Sequence, residues 1–264
     1  MKETSMLSVI ALLLVGSLLL AGCPAGPLQT IAALGRTVTQ EPEITDFDRL
    51  QVSHAFDVTV RQGEPYRVVI EVDEAVLPHL QVDRQGSTLR IGIEPGWRIF
   101  RGPTTLRAEV TLPQLAGLTA SGASRVNLSG FDSSDALEIT ASGASRVNGQ
   151  INARDTTIAA SGASEIDLRG AFQDLAVEAS GASNVTLDGS GQNLRANASG
   201  GSEINLANLP IVDARVEASG ASTVRVQPSG ALDVEASGAS NVYYSGNPTM
   251  GNISTSGASS IRAD

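Results

Sequence analysis

His54 and His79 are the only two imidazoles in the 264 residues, whereas serines are abundant. Serine-type catalysis needs a hydroxyl beside a base, commonly in a Gly-x-Ser-x-Gly elbow, and no such elbow is present. A polysaccharide-cleaving site would instead need Asp and Arg grouped on one face. The best matching row of residues reads Arg125, Arg146, Glu165, Asn184, Glu203, Thr223, Asn241 and Ser260, and it lacks a carboxylate pair. Asp155, Asp174, Asn193 and Asp213 recur at spacings of 19, 19 and 20. If they stack, the first two repel by about 1 kcal/mol, which a calcium ion could relieve. An Asp turn cap facing solvent accounts for them more simply. No catalytic residue, cofactor site or metal site is expected.

Cys23 carries a different chemistry. It is the only cysteine, so no internal disulfide is available, and it closes an apolar run that begins at Leu7 behind a short segment containing Lys2. That run is too short for a spanning helix and normal for a secretory leader. Leu20, Ala21 and Gly22 before Cys23 resemble a bacterial lipobox, which implies cleavage ahead of Cys23 and diacylglycerol on its thiol. Lipoprotein sorting rules retain proteins in the inner membrane when Asp follows the cysteine. Pro24 stands there, so the outer membrane is expected in a two-membrane cell.

What must position everything else is a repeat. Serines 121, 142, 161, 180, 199, 219, 237 and 256 each open a copy of Ser-Gly-Ala-Ser or a close variant, at spacings of 21, 19, 19, 19, 20, 18 and 19. A fixed period in this range indicates stacked repeats. In "LAVEASGASNVTLDG" a period of two puts Leu175, Val177, Ala179, Gly181, Ser183, Val185 and Leu187 on one face, and this selects strand over helix. If each motif were a three-residue hairpin turn, its third loop position should favour Gly. It is Ala in seven copies and Gly only at Gly201, so a parallel solenoid with one copy per coil is the better reading. On that reading Gly181 and its equivalents face inward at a bend. The inner serines 124, 145, 164, 183, 202, 222, 240 and 259 stack in a column in which each hydroxyl donates to the next.

The expected fold is therefore all-β, a right-handed parallel β-helix of about 19 residues per coil with an N-terminal β-rich capping segment. Four segments follow: a leader over 1–22, a flexible Pro/Gly/Thr/Gln tether over 23–43, an N-terminal β segment over 44–112, built either as hairpins or as irregular first coils, and the repeat solenoid over 113–264. With 18 basic against 28 acidic residues and 3% aromatics, the chain is poorly suited to nucleic acid.

The stretch from "FDRLQVSHAFDVTVRQGEPYRVVIEVDEAVLPHLQVDRQGSTLRIGIEPG" through "LRAEVTLPQLAGLTASGASRV" and the later coils resembles the bacterial head GIN domain family, the head domain of putative autotransporter adhesins, over about 44–264. The resemblance implies a parallel β-helix, a cell-envelope location and a role in adhesion, and it transfers no catalytic residues. Two function classes are then open: a lipid-anchored interaction module meeting a glycan, polymer or cell-surface ligand, or a structural envelope spacer or assembly subunit. Nothing remains after the last copy to cap the stack, so either Arg262 and Asp264 guard its edge in a monomer, the favoured arrangement, or two copies meet end to end.

Overall fold

Alternating branched residues make each copy a pair of strands, and the Ser-Gly-Ala-Ser between them is a corner. The computed structural model describes residues 29–99, 104–133 and 135–264. It is a β-solenoid of about eight turns with about 19 residues per coil. Its first part holds β1 (Gln29–Ile31), β2 (Thr37–Gln40), β3 (Arg49–Val52), β4 (Asp57–Gln62), β5 (Arg67–Asp73), β6 (Leu80–Gln85), β7 (Thr88–Ile93), β8 (Trp97–Ile99) and β9 (Leu106–Leu112). The repeats supply β10 (Gly117–Ala120), β11 (Arg125–Asp132), β12 (Leu137–Ala141), β13 (Arg146–Ala160), β14 (Glu165–Ala179), β15 (Asn184–Ser190) and β16 (Asn193–Ala198). They continue with β17 (Glu203–Ile211), β18 (Asp213–Ala218), β19 (Thr223–Pro228), β20 (Ala231–Ala236), β21 (Asn241–Tyr244), β22 (Thr249–Thr255) and β23 (Ser260–Ala263).

Successive coils stack in parallel register. Val177 lies over Ala196 and Ala179 over Ala198 in the sheet that enters the corner, and Ile166 lies over Val185 in the sheet that leaves it. Between the sheets Leu175, Val177, Ala179, Ser183, Val185 and Leu187 are buried, and the same pattern repeats from coil to coil.

The corner corrects two expectations. Gly181 does not face inward: it is exposed on the convex side with φ +72°, and a Cβ there would lie 2.7 Å from the carbonyl oxygen of Gly162 in the neighbouring coil. A strand alternates its faces only while it runs straight, and the left-handed glycine turns the chain so that Ser180, Gly181 and Ala182 all stand outside. Alternation resumes in phase because the corner spans an even number of residues. The backbone ladder passes through unbroken, with Ser180 N donating to Ala160 O (2.9 Å), Ala182 N to Gly162 O (2.7 Å) and Asn184 N to Ser164 O (2.9 Å).

The inner serines, likewise, do not donate to one another. The Ser183 hydroxyl lies 3.1 Å from the Ala160 carbonyl oxygen of the neighbouring coil and 2.8 Å from the Ser180 carbonyl oxygen of its own. Coils are about 4.8 Å apart, too far for a direct hydroxyl-to-hydroxyl bond, whereas the corner's carbonyls lie within reach.

The N-terminal part departs from chain order. β3 and β4 form a coil directly beneath β10 and β11, and β7 and β9 form another beneath that one. Antiparallel strands then close the base: β6 on β7 in one sheet, β5 on β9 and β2 on β5 in the other. The tether expected over 23–43 is thereby corrected for residues 29–40. β1 pairs with β8, β2 with β5, and Ile31 is buried. The buried carboxylate of Asp73 fastens this strap, accepting from Leu34 N (3.0 Å), Gly35 N (2.7 Å) and Ala75 N (3.0 Å). The free edge of β5 needs a partner, and the short alternation at Thr37–Gln40 supplies one.

Candidate functional site

Two residues before the glycine of each corner the chain turns a small inner alanine inward, and the position ahead of that alanine points out. Glu178, Asn197, Glu217 and Glu235 fill this outward position in register over four coils. On the corner side Ser180, Ser199, Ser219 and Ser237 form a parallel row. Between the two rows runs a groove of about 410 Å³, floored by the backbone at Ala179, Ala198 and Ala218. At about 4.8 Å per coil its four levels span roughly 14 Å along the axis.

The groove is acidic along its glutamate wall. Glu217 is held by Arg215 (3.1 Å) and Arg195 (3.5 Å), whereas Glu178 and Glu235 face solvent. The Asn197 Oδ1 is shielded from water and has no hydrogen-bond partner. Carboxylate oxygens on one wall accept hydrogen bonds, and serine hydroxyls on the other can donate or accept. The groove therefore suits a hydroxyl- or amine-bearing chain and disfavours an anion.

The row that follows each corner is occupied by its own neighbours. Arg146 pairs with Glu165 at 2.5 Å, Arg225 pairs with Glu203 and lies 5.2 Å over the Tyr243 ring, and the Ser260 hydroxyl donates to Asn241 at 2.7 Å. Arg125 stands over Asp57, and Asn184 and Thr223 continue the ladder around Glu203. Exposed pairs of this kind contribute little stability each.

The histidines sit in the base. Ser53 Oγ lies 2.8 Å from His54 Nδ1, which also accepts from Ile93 N at 3.3 Å, and both residues belong to the corner of the β3–β4 coil. Neither lines the groove. His79 stacks on Trp97 with ring centroids 3.6 Å apart and lies 3.6 Å from Glu94. Two aspartates of the recurring row, Asp174 and Asp213, accept local hydrogen bonds. Asp155 stacks on Asp174, the Asn193 amide donates to Asp174 at 2.6 Å, and Asp213 accepts from Ala231 N at 2.7 Å. Among the described residues no group of three or more His, Cys, Asp or Glu side chains could hold a metal ion.

Leu20, Ala21, Gly22 and Cys23 lie outside the described residues. Among the described residues no helix is long and apolar enough to cross a membrane. The groove residues were not singled out from sequence, although a signal exists: Glu-Ala-Ser precedes the glycine at 178–180, 217–219 and 235–237, with Asn-Ala-Ser at 197–199.

A family model described as "Putative auto-transporter adhesin, head GIN domain" matches residues 46–248. Solved structures share the fold. A "putative lipid binding protein" from Parabacteroides distasonis superposes with a TM-score of 0.79 at 20% identity, covering 89% of this chain and 100% of that one. A "putative adhesin" from Parabacteroides merdae gives 0.79 at 18% identity over 89% and 99%. Another "putative adhesin" from P. distasonis gives 0.80 at 15% over 89% and 100%. No curated protein matches the sequence.

Proposed function

The chain belongs to the head GIN domain family, and on that premise we propose that it is a non-catalytic adhesion module of the bacterial cell envelope, lipid-anchored through Cys23. In a cell with two membranes the anchor lies in the outer one. The module binds an extended neutral or amino-bearing glycan or similar polymer along the groove beside the corners. The observation that carries this reading is an outward carboxylate at three of four stacked levels, Glu178, Glu217 and Glu235, facing a corner serine at every level. A ligand meeting a serine at every level and a carboxylate at three of the four must itself repeat, as a polymer does. The corner serines opposite give every level both donors and acceptors.

A glycan array probed with the purified protein tests the ligand, with Glu178→Arg/Glu235→Arg as the groove variant. Both side chains are exposed, so the variant keeps its fold. Retention of a neutral or amino-bearing polysaccharide by the native protein, lost in the variant, supports the proposal. Retention that survives the variant moves binding to another surface, and no retention on any glycan leaves the structural spacer as the better reading. Diacylation at Cys23 in mass spectra of the native protein, with release from membranes on Cys23→Ala, tests the anchor separately.

A further inference from the structure

The last coil is built differently from those beneath it. No charged residue stands between Glu235 and Arg262, in a chain that is 17% charged as a whole. In the sheet that enters the corner most earlier repeat strands carry charge on the outer face: Glu138 in β12, Glu178 in β14, Arg195 in β16, Arg215 and Glu217 in β18, Asp233 and Glu235 in β20, whereas β10 and the 156–160 part of β13 carry none there and are covered by neighbouring coils. In β22 the corresponding positions are Asn252 and Ser254.

Every residue of β22 is exposed, including Met250 and Ile253 at 42% each. These two continue the columns of Leu232 and Val234, which are buried. Met250 and Ile253 are thus core side chains covered from below only. The backbone edge is open as well. Ser256, Ser260 and Asp264 donate down to Ala236, Ser240 and Tyr244, and in a parallel ladder the alternate groups point the other way, where no described strand meets them. Long edges are normally guarded by charge or proline. Here Arg262 guards β23, and β22 has no guard.

We infer that the β22 edge is an interaction surface for a second copy of this chain, joined end to end about a two-fold axis. An uncharged edge meets its own copy without like-charge repulsion. A self-match also supplies strand length, open hydrogen-bonding groups and an apolar pair in equal measure on both sides. The opposite end of the stack is closed by antiparallel strands, and the edge strand there, β6, carries Asp83 and Arg84, so a head-to-tail filament is disfavoured. Seven residues of strand span about 24 Å, and two sheets with their side chains span about 20 Å, so each copy covers roughly 500 Å². A total near 1,000 Å² is at the lower limit of specific interfaces, which predicts a reversible, concentration-dependent dimer.

The geometry has a further meaning. β1 lies at the base, so a tip-to-tip dimer holds its two β1 strands at opposite ends. If the chain is anchored as in the proposed function, on which this step rests, the dimer joins two opposing membranes and the module is its own ligand.

Sedimentation velocity of the purified protein over a hundredfold concentration range tests the contact without membrane or glycan, so its failure is distinct from that of the groove. The expected result is a monomer–dimer equilibrium that weakens at least tenfold in Ile253→Lys and in Met250→Lys. Leu34→Lys, at an exposed leucine of the base, leaves it unchanged. Small-angle scattering of the dimer should show a maximum dimension close to twice that of the monomer. A monomer at every concentration, a dimer indifferent to the β22 substitutions, or a side-by-side envelope overturns the inference.

Discussion

The coil made by β3 and β4 and the coils above it follow the same path with different residues, and the contrast shows what the repeat is for. Val52-Ser-His-Ala-Phe-Asp-Val58 occupies the place that Ala120-Ser-Gly-Ala-Ser-Arg-Val126 takes one level up, in register at both ends. His54 and Ala55 adopt φ of 60° and 66° there, and Phe56 fills the inner position that a serine holds elsewhere. The corner itself therefore does not demand glycine. Stacking does: a Cβ on Gly122 would approach His54 N at 3.3 Å, whereas one on Gly143 would lie 2.6 Å from the Gly122 carbonyl oxygen. Repetition is a requirement of like resting on like.

The sharpest way to break this comparison is to make the first coil resemble the others. Phe56→Ser brings this corner to Ser-His-Ala-Ser, one residue from the repeat motif, yet empties a fully buried ring site, with an expected loss of about 3–5 kcal/mol in denaturant melts. A stability gain would mean that the motif is favoured for its own sake. Next in size is Gly181→Ala. It combines a left-handed non-glycine residue, about 1–2 kcal/mol, with overpacking against Gly162, about 1–3 kcal/mol. Gly122→Ala should cost only the first of these, and equal midpoint shifts for the two variants would contradict the stacking argument.

Asp73→Ala probes the base alone. It removes the cap on Ala75 and the fastening of Leu34 and Gly35, for about 0.5–2 kcal/mol at neutral pH. The backbone N–H of Leu34, above all, holds the Asp73 carboxyl below its ordinary value, against the opposing effect of burial, with Ala75 N, Gly35 N and Arg36 adding to the lowering. A depressed folded value means stability that is fully present above the unfolded value of about 3.9 and lost as pH falls through the folded one. The gap between native and variant melts should be constant from pH 5 to 7 and shrink below about pH 4. The smallest effect has the opposite sign. Thr156 interrupts the buried column of Leu137, Leu175 and Leu194, and its hydroxyl has no partner, so Thr156→Val should stabilise by about 1 kcal/mol in thermal melts.

Much of the repeat region was legible because stacking leaves its signature in the chain itself. The period near 19 and the alternation of Leu175, Val177 and Ala179 define parallel coils. The direction of Gly181 was not legible, because a period-two count continues through a corner that spans an even number of residues and conceals the turn. The sequence left the segment at 49–62 open between hairpin and irregular coil for the reverse reason: its corner shares only Ser53 and Ala55 with the motif, though the six-residue interval from Val52 to Val58 matches that from Ala120 to Val126. The placement of β7 and β9 beneath β3 and β4 is a long-range choice that no local pattern encodes. The groove combines residues one coil apart, so it emerged only once the register was known.

The hydrogen bonds that join the coils, including those from Ser183 and its equivalents, lie along the stacking axis. A load pulling along that axis from the tip meets them one coil at a time, not all together in shear. Each coil that detaches releases about 19 residues, roughly 65 Å of extended chain, while the coils behind it keep their neighbours. Under tension the module lengthens stepwise, each step far longer than the rise of the coil it undoes. A rigid-looking rod is in this respect a shock absorber.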